Sequence, residues 1–210
     1  MQKRNKTVAV IGAGDYIGGE IAKKFAAEGF TIFAGRRNGE KLLPLVKEIE
    51  AAGGEIHARS LDARKEEEII SFLNDTDKHA PMEVCIFNIG ANVNFPILDT
   101  TERVFRKVWE MACYSGFLAG REAARLMTAR GEGKIFFTGR PPVCAAVPGM
   151  PLSPALSLGC ARWRRQWLAN WAPRISMWRT SLSIPVSTPN GCGSAVSRRW
   201  VRTRSTIPIC

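Results

Sequence analysis

No Asp, Glu or Lys occurs between Arg140 and Cys210, although that stretch holds ten arginines and five of the six tryptophans. Residues 1 to 139 carry twenty basic and nineteen acidic side chains, the balance of an ordinary soluble chain. One polypeptide therefore has two compositions, and a regular packed fold is expected only before the seam. At 210 residues the chain has the size of a single domain. The net charge of +11 comes almost wholly from the tail. That tail is rich in Pro, Ser, Trp and Arg without clean periodicity, so its charge alone does not point to a specific nucleic-acid partner.

Before the seam, strand and helix signals alternate. Thr7 to Ile11 is a β-branched and apolar run that ends at a glycine turn, and Ile17 to Phe25 has apolar positions at helical spacing. Thr31 to Ala34 predicts a second strand, and Glu40 to Ala52 a second helix with Pro44 in its first turn. Glu55 to Ser60, Val84 to Asn88 and Lys134 to Thr138 predict three more strands, with helices over Lys65 to Leu73 and Thr101 to Met127 between them. Such alternation predicts an α/β fold: a Rossmann-type, doubly wound parallel sheet over residues 1 to 139, incomplete and followed by an irregular tail over 140 to 210. Pro141, Pro142, Pro148, Pro151 and Pro154 exclude a long helix after the seam. Only Ala161 to Ala172, with Trp163, Trp167 and Trp171 four residues apart, has a helical pattern.

The first turn, Gly12-Ala13-Gly14-Asp15-Tyr16-Ile17-Gly18, stands where a loop must let a pyrophosphate approach the amides of a helix N-terminus. Glycines there remove the Cβ atoms that would block the approach, so the turn predicts dinucleotide binding. After the second strand come Arg36 and Arg37, where a ribose 2′-hydroxyl would call for an acidic residue; an arginine suits a 2′-phosphate, and the expected cofactor is NADP rather than NAD. The six cysteines form no C-x-x-C pair and none is close in sequence to His57 or His79, so no metal site is expected and the thiols read as free in a reducing compartment. The apolar run at the N-terminus stops after five residues, and no stretch reaches bilayer length. The chain is expected in the cytoplasm.

These segments together resemble the short-chain dehydrogenase/reductase family over residues 6 to 139. Leu61-Asp62 resembles the family's adenine-contacting position, and Asn88-Ile89-Gly90-Ala91 its Asn-Asn-Ala-Gly stretch beside the cofactor cleft. Gly133 to Gly139 resembles the strand that leads to the catalytic serine. The resemblance implies that Gly12, Gly14, Tyr16, Ile17, Gly18, Arg36, Arg37, Asp62, Asn88 and Gly90 line the cofactor site. It also implies a carbonyl or alcohol substrate and a homo-oligomer whose interface region is here altered. Three family features are missing. Tyr16 stands where the middle glycine of the loop belongs, Ala112 where the fourth helix carries a catalytic asparagine, and no Tyr-x-x-x-Lys follows the fifth strand, since the last tyrosine is Tyr114 and the last lysine Lys134. No catalytic residue is assigned.

A tail of this composition is what a GC-rich gene gives when read out of frame. Read as ATG-TGG-CGN, Met177-Trp178-Arg179 contains GTG-GCG, Val-Ala, in the shifted frame. The same shift permits Val-Asp-Thr-Glu over Val186 to Asn190 and Ala-Ser-Ala-Lys-Phe-Gly over Ser153 to Gly159. A lysine thus reappears near the family's position, but four residues before it the shifted frame cannot encode tyrosine. Three readings follow: an NADP-dependent oxidoreductase by descent with impaired or absent turnover; a non-enzymatic dinucleotide-binding or regulatory protein; and a basic tail that grips nucleic acid or a membrane surface.

Overall fold

The computed structural model describes residues 3–90, 99–139 and 176–181, and in that last segment and at Gly139 the backbone only. Six parallel strands lie in the order β3-β2-β1-β4-β5-β6. They are β1 (Thr7–Ile11), β2 (Thr31–Arg36), β3 (Glu55–Ser60), β4 (Met82–Phe87), β5 (Lys134–Gly139) and β6 (Ser176–Ser181). The helices are α1 (Ile17–Ala27), α2 (Leu43–Ala51), α3 (Glu66–His79), α4 (Glu102–Trp109) and α5 (Ser115–Arg130). The sheet is the doubly wound one that the alternation predicts, with the reversal of strand order falling between β1 and β4.

Strand β1 shows why the sequence chooses this layout. All five of its residues are buried, so both of its faces must be covered. Ala9 and Ile11 join Phe72, Leu73, Cys85, Phe87 and Leu118 in the core beneath α3 and α5. Val8 and Val10 join Ala22, Ile32, Leu45, Ile49 and Ile86 in the core beneath α1 and α2. One side of the pleat serves each layer, as the two-residue period of a strand requires. Helix α1 turns Gly18, Ala22 and Ala26 inward at four-residue intervals, a narrow face of small side chains that lets it lie close to the sheet. Helix α3 opens on Glu66, Glu67 and Glu68 and carries Lys78 in its last turn, charges that complement the helix dipole at each end. Gly131, with φ +76°, ends α5 in the left-handed conformation that glycine adopts without a Cβ penalty.

The sequence reading and the structure differ at several places. Strand β2 runs two residues past Ala34, and α3 runs on to His79 rather than stopping at Leu73. In the second helix, Gly39–Leu42 is a 3₁₀ turn capped by the Asn38 side chain, which accepts from Glu40 N at 3.1 Å, before Pro44 opens α2. The long helix read over Thr101 to Met127 is two α-helices joined by a π turn at Glu110–Tyr114. Ser115 Oγ donates to Met111 O at 2.6 Å in the turn's wall, a side-chain bond competing with the backbone ladder that hydropathy cannot reveal. Finally, the sheet has one strand more than the five expected, because residues 176–181 pair with β5 from Lys134↔Ser176 to Gly139↔Ser181. Pairing uses backbone groups that any non-proline residue offers, so Ser-Met-Trp-Arg-Thr-Ser can join the edge without an alternating pattern. The helical pattern of Ala161 to Ala172 lies outside the described residues.

Candidate cofactor site

The residues singled out in the sequence meet at the carboxyl ends of β3, β2, β1 and β4, the rim where open α/β sheets bind ligands. Gly12 leaves β1 at φ +89°, and its amide donates to Gly35 O at 2.9 Å, joining the turn to the end of β2. A Cβ on Gly12 would lie 2.8 Å from both Asn88 O and Ile89 Cγ1. On Gly18 it would lie 2.4 Å from Gly12 O and 2.9 Å from Asn88 Nδ2. These two glycines are therefore required for the turn to pack against the β4 end. Gly14 differs, since a Cβ there would meet nothing within 4 Å. It leaves an open approach to the start of α1, whose first amides have no acceptor within the helix.

Asn88 pins the rim together. Its side-chain amide donates to Gly12 O at 3.0 Å, its backbone N–H donates to Ile11 O at 2.8 Å, and its Oδ1 accepts from Thr138 Oγ1 at 2.7 Å. One side chain thus ties β1, β4 and β5. The Thr138 bond was not foreseen from sequence, because the partners are fifty residues apart.

Two features bear on which phosphates the rim could accept. Arg36 makes a bidentate pair with Asp15, at 2.6 and 3.2 Å, and the guanidinium holds the Asp15 carboxyl below its usual range. Arg37, the next residue, is exposed and makes no ion pair among the described residues. Tyr16, in place of a glycine, is 84% exposed and points its ring outward, so the turn closes around it without a clash. Ile17 is half-buried and opens α1; Gly90 is exposed beyond β4, with open space where a Cβ would stand.

Asp62 faces inward to its own loop. Its carboxylate accepts from Arg64 Nε at 2.9 Å and Nη2 at 2.6 Å, and its backbone N–H donates to Glu68 Oε2 at 2.7 Å. Arg64 holds the Asp62 carboxyl below its ordinary value near 3.8. A lowered carboxylate contributes stability that is present above the unfolded-state value and lost as pH falls through the folded one. Asp62→Asn should therefore cost about 1 kcal/mol at pH 7. The gap between variant and parent should shrink as pH drops below about 4, which thermal melts across pH 2.5–7 will read.

The last tyrosine and the last lysine of the sequence lie at different ends of the sheet. Tyr114 sits in the π turn, stacked between Trp109 and Phe117 at 5.6 and 6.4 Å. Lys134 begins β5, at the opposite end of the strand from the rim, with Nζ 3.5 Å from Glu83. Ala112, at the family's asparagine position, lies within the same π turn.

Comparison with known proteins decides the ancestry: the family model for short chain dehydrogenase matches residues 6–146. The chain belongs to the short-chain dehydrogenase family. A crystal structure of a short-chain dehydrogenase from Rhodopseudomonas palustris is 63% identical to it, covers 84% of each chain and superimposes with a TM-score of 0.79. The NADPH-dependent 1-acyldihydroxyacetone phosphate reductase of Saccharomyces cerevisiae is 28% identical over 143 residues, 66% of this chain and 47% of its own. Diacetyl reductase [(S)-acetoin forming] of Staphylococcus epidermidis is 29% identical over 136 residues, 62% of this chain and 52% of its own. This short-chain dehydrogenase thus spans about half the length of the curated relatives it matches. Among the described residues no helix is long and apolar enough to cross a membrane.

Proposed function

We propose that residues 1–139 bind NADP and that the chain descends from an oxidoreductase moving hydride between a nicotinamide and a carbonyl or alcohol carbon. The observation that carries this reading is the rim itself: Gly12, Gly14 and Gly18 shape a backbone approach at the α1 N-terminus, between Arg37 on one side and Asn88 on the other. The dinucleotide supplies the hydride chemistry when bound. The chain's own residues position it: the α1 amides face the pyrophosphate, Asp62 and its loop border the adenine side, and Asn88 and Gly90 border the inner cleft. Arg37 carries the preference for a 2′-phosphate, because Arg36 is already committed to Asp15.

Titration of NADPH and NADH fluorescence against Arg37→Ala tests this. A charged hydrogen bond is worth about 1.5–3 kcal/mol, so NADPH affinity should fall roughly 10- to 100-fold while NADH changes less than about threefold. Equal losses for both, or tighter parental binding of NADH, would overturn the assignment of NADP.

A second reading, dinucleotide binding without catalysis, is favoured by the placement of Lys134 at the end of β5 away from the rim and by Ala112. We infer that residues after Gly139 come from a shifted reading frame, and resequencing codons 135–145 tests it: a missing or added base supports a longer, atypical oxidoreductase, and an unbroken frame supports a cofactor-binding chain with a basic tail. The two readings part at turnover of the frame-repaired chain, which the binding protein would still lack. In either form we expect a cytoplasmic chain with no specific nucleic-acid partner, and in an active form a small carbonyl or alcohol substrate and a homo-oligomer of the family type.

A further inference from the structure

The other end of the sheet carries a different constellation. Glu55 and His57 are two residues apart on β3, hence on one face of an edge strand, and His79 completes the last turn of α3 beside them. His57 Nε2 and His79 Nε2 each lie 3.2 Å from the same oxygen, Glu55 Oε1, and the three donor atoms all fall within 4.8 Å of one another. Phe33 pairs with His57 across β2 and β3 and packs on both imidazoles, at 4.7 and 5.5 Å between centroids, which restricts where the rings can turn. The imidazole centroids are 5.0 Å apart. Side-chain exposures of 31, 47 and 39% for Glu55, His57 and His79 leave the cluster open to ions and water.

We propose that Glu55, His57 and His79 form a site for a divalent transition-metal ion of the zinc type. Donor atoms around a tetrahedral ion with bonds of about 2.0–2.1 Å sit roughly 3.4 Å apart. Two of the three spacings already match, and the third needs only a small ring movement. Two imidazoles with a single carboxylate oxygen suit zinc over magnesium or calcium, which prefer all-oxygen shells. Lys3 Nζ, 2.5 Å from Glu55 Oε2, occupies the second carboxylate oxygen and leaves Oε1 as the one donor. Water completes the shell. The site lies at the amino ends of the strands, across the sheet from the glycine turn, so the ion would cross-link edge strand β3 to α3 and take no part in hydride transfer. Sequence spacing does not reveal it, since the two histidines are twenty-two residues apart and no cysteine joins them.

The test uses the full chain with Co²⁺ as a spectroscopic probe and Zn²⁺ in thermal melts. Expected are one Co²⁺ per chain with visible d–d bands and no thiolate charge-transfer band, and a Tm raised by Zn²⁺ but not by Mg²⁺. His57→Gln and His79→Gln should each weaken Co²⁺ binding at least tenfold and abolish the Zn²⁺ shift, with NADPH affinity unchanged. Lys3→Ala removes a competing cation from an exposed position and should tighten binding severalfold even if a histidine variant folds poorly. Absence of saturable binding, a thiolate band, or affinities unmoved by all three substitutions would overturn the assignment.

Discussion

Replacing Gly18 with valine is expected to abolish NADP binding and to lower Tm by roughly 6–12 °C, the shift that about 3 kcal/mol gives in a chain of this size. The reason is geometric. The added Cβ would stand 2.4 Å from Gly12 O and 2.8 Å from Ala13 Cα, both backbone atoms of the turn, which cannot rotate away as a flexible side chain could. Either α1 moves off the sheet, opening the small-residue face built on Ala22 and Ala26, or the turn unfolds from Asn88. Both outcomes displace the amides that face the phosphates. Gly14→Ala is the matched control, because its Cβ meets only open space and the fold should hold within about 0.5 kcal/mol. A fall in cofactor affinity in that variant then reports ligand approach alone. Calorimetric melting and cofactor titration of the pair separate packing from binding, and a Gly18→Val chain with parental Tm and affinity would overturn the account of the turn.

The second large effect concerns turnover. Carbonyl reduction needs a proton as well as a hydride, and a positioned acid contributes about 10²–10⁴ in rate. At the described rim the hydroxyl of Thr138 is spent on Asn88, and the Asp62 carboxylate is held ionised by Arg64. No lysine or tyrosine follows Lys134 in the sequence. The chain should therefore oxidise NADPH with small ketones or diketones at least a hundredfold more slowly than a family member carrying Tyr-x-x-x-Lys, while still quenching or enhancing cofactor fluorescence on binding. Stopped-flow and steady-state absorbance with a panel of carbonyl substrates measures it. Rates within tenfold of such an enzyme would overturn this expectation.

How much of this was legible in the sequence differs by the range of the interaction. Thr7 to Ile11 announced a strand because its β-branched and apolar residues run unbroken into a glycine turn, and that turn announced the rim. Pro44 marked a helix start by a rule that acts within one turn. Interactions between distant residues left no such mark. Asp15 captures Arg36 across twenty-one residues, so the arginine that the sequence offered to a 2′-phosphate is partnered and Arg37 is left to serve. Glu55, His57 and His79 come together only because α3 runs six residues beyond the point where its apolar pattern stops. Strand β6 forms in a segment whose composition argued for none.

The π turn between α4 and α5 amounts to a phase error written into the chain. Each residue of an α-helix advances its side chain by about 100°, so a single wide turn shifts everything before it around the axis by one such step relative to everything after it. On an uninterrupted α-helical wheel Val108 would fall inside the arc spanned by Leu118, Ala119 and Ala123, but the shift turns it away, so that it packs with Val104, Met111 and Ala112 while the other three enter the core against the sheet. Here the backbone, rather than a substitution, reconciles two hydrophobic registers that would otherwise compete for the same side of the sheet.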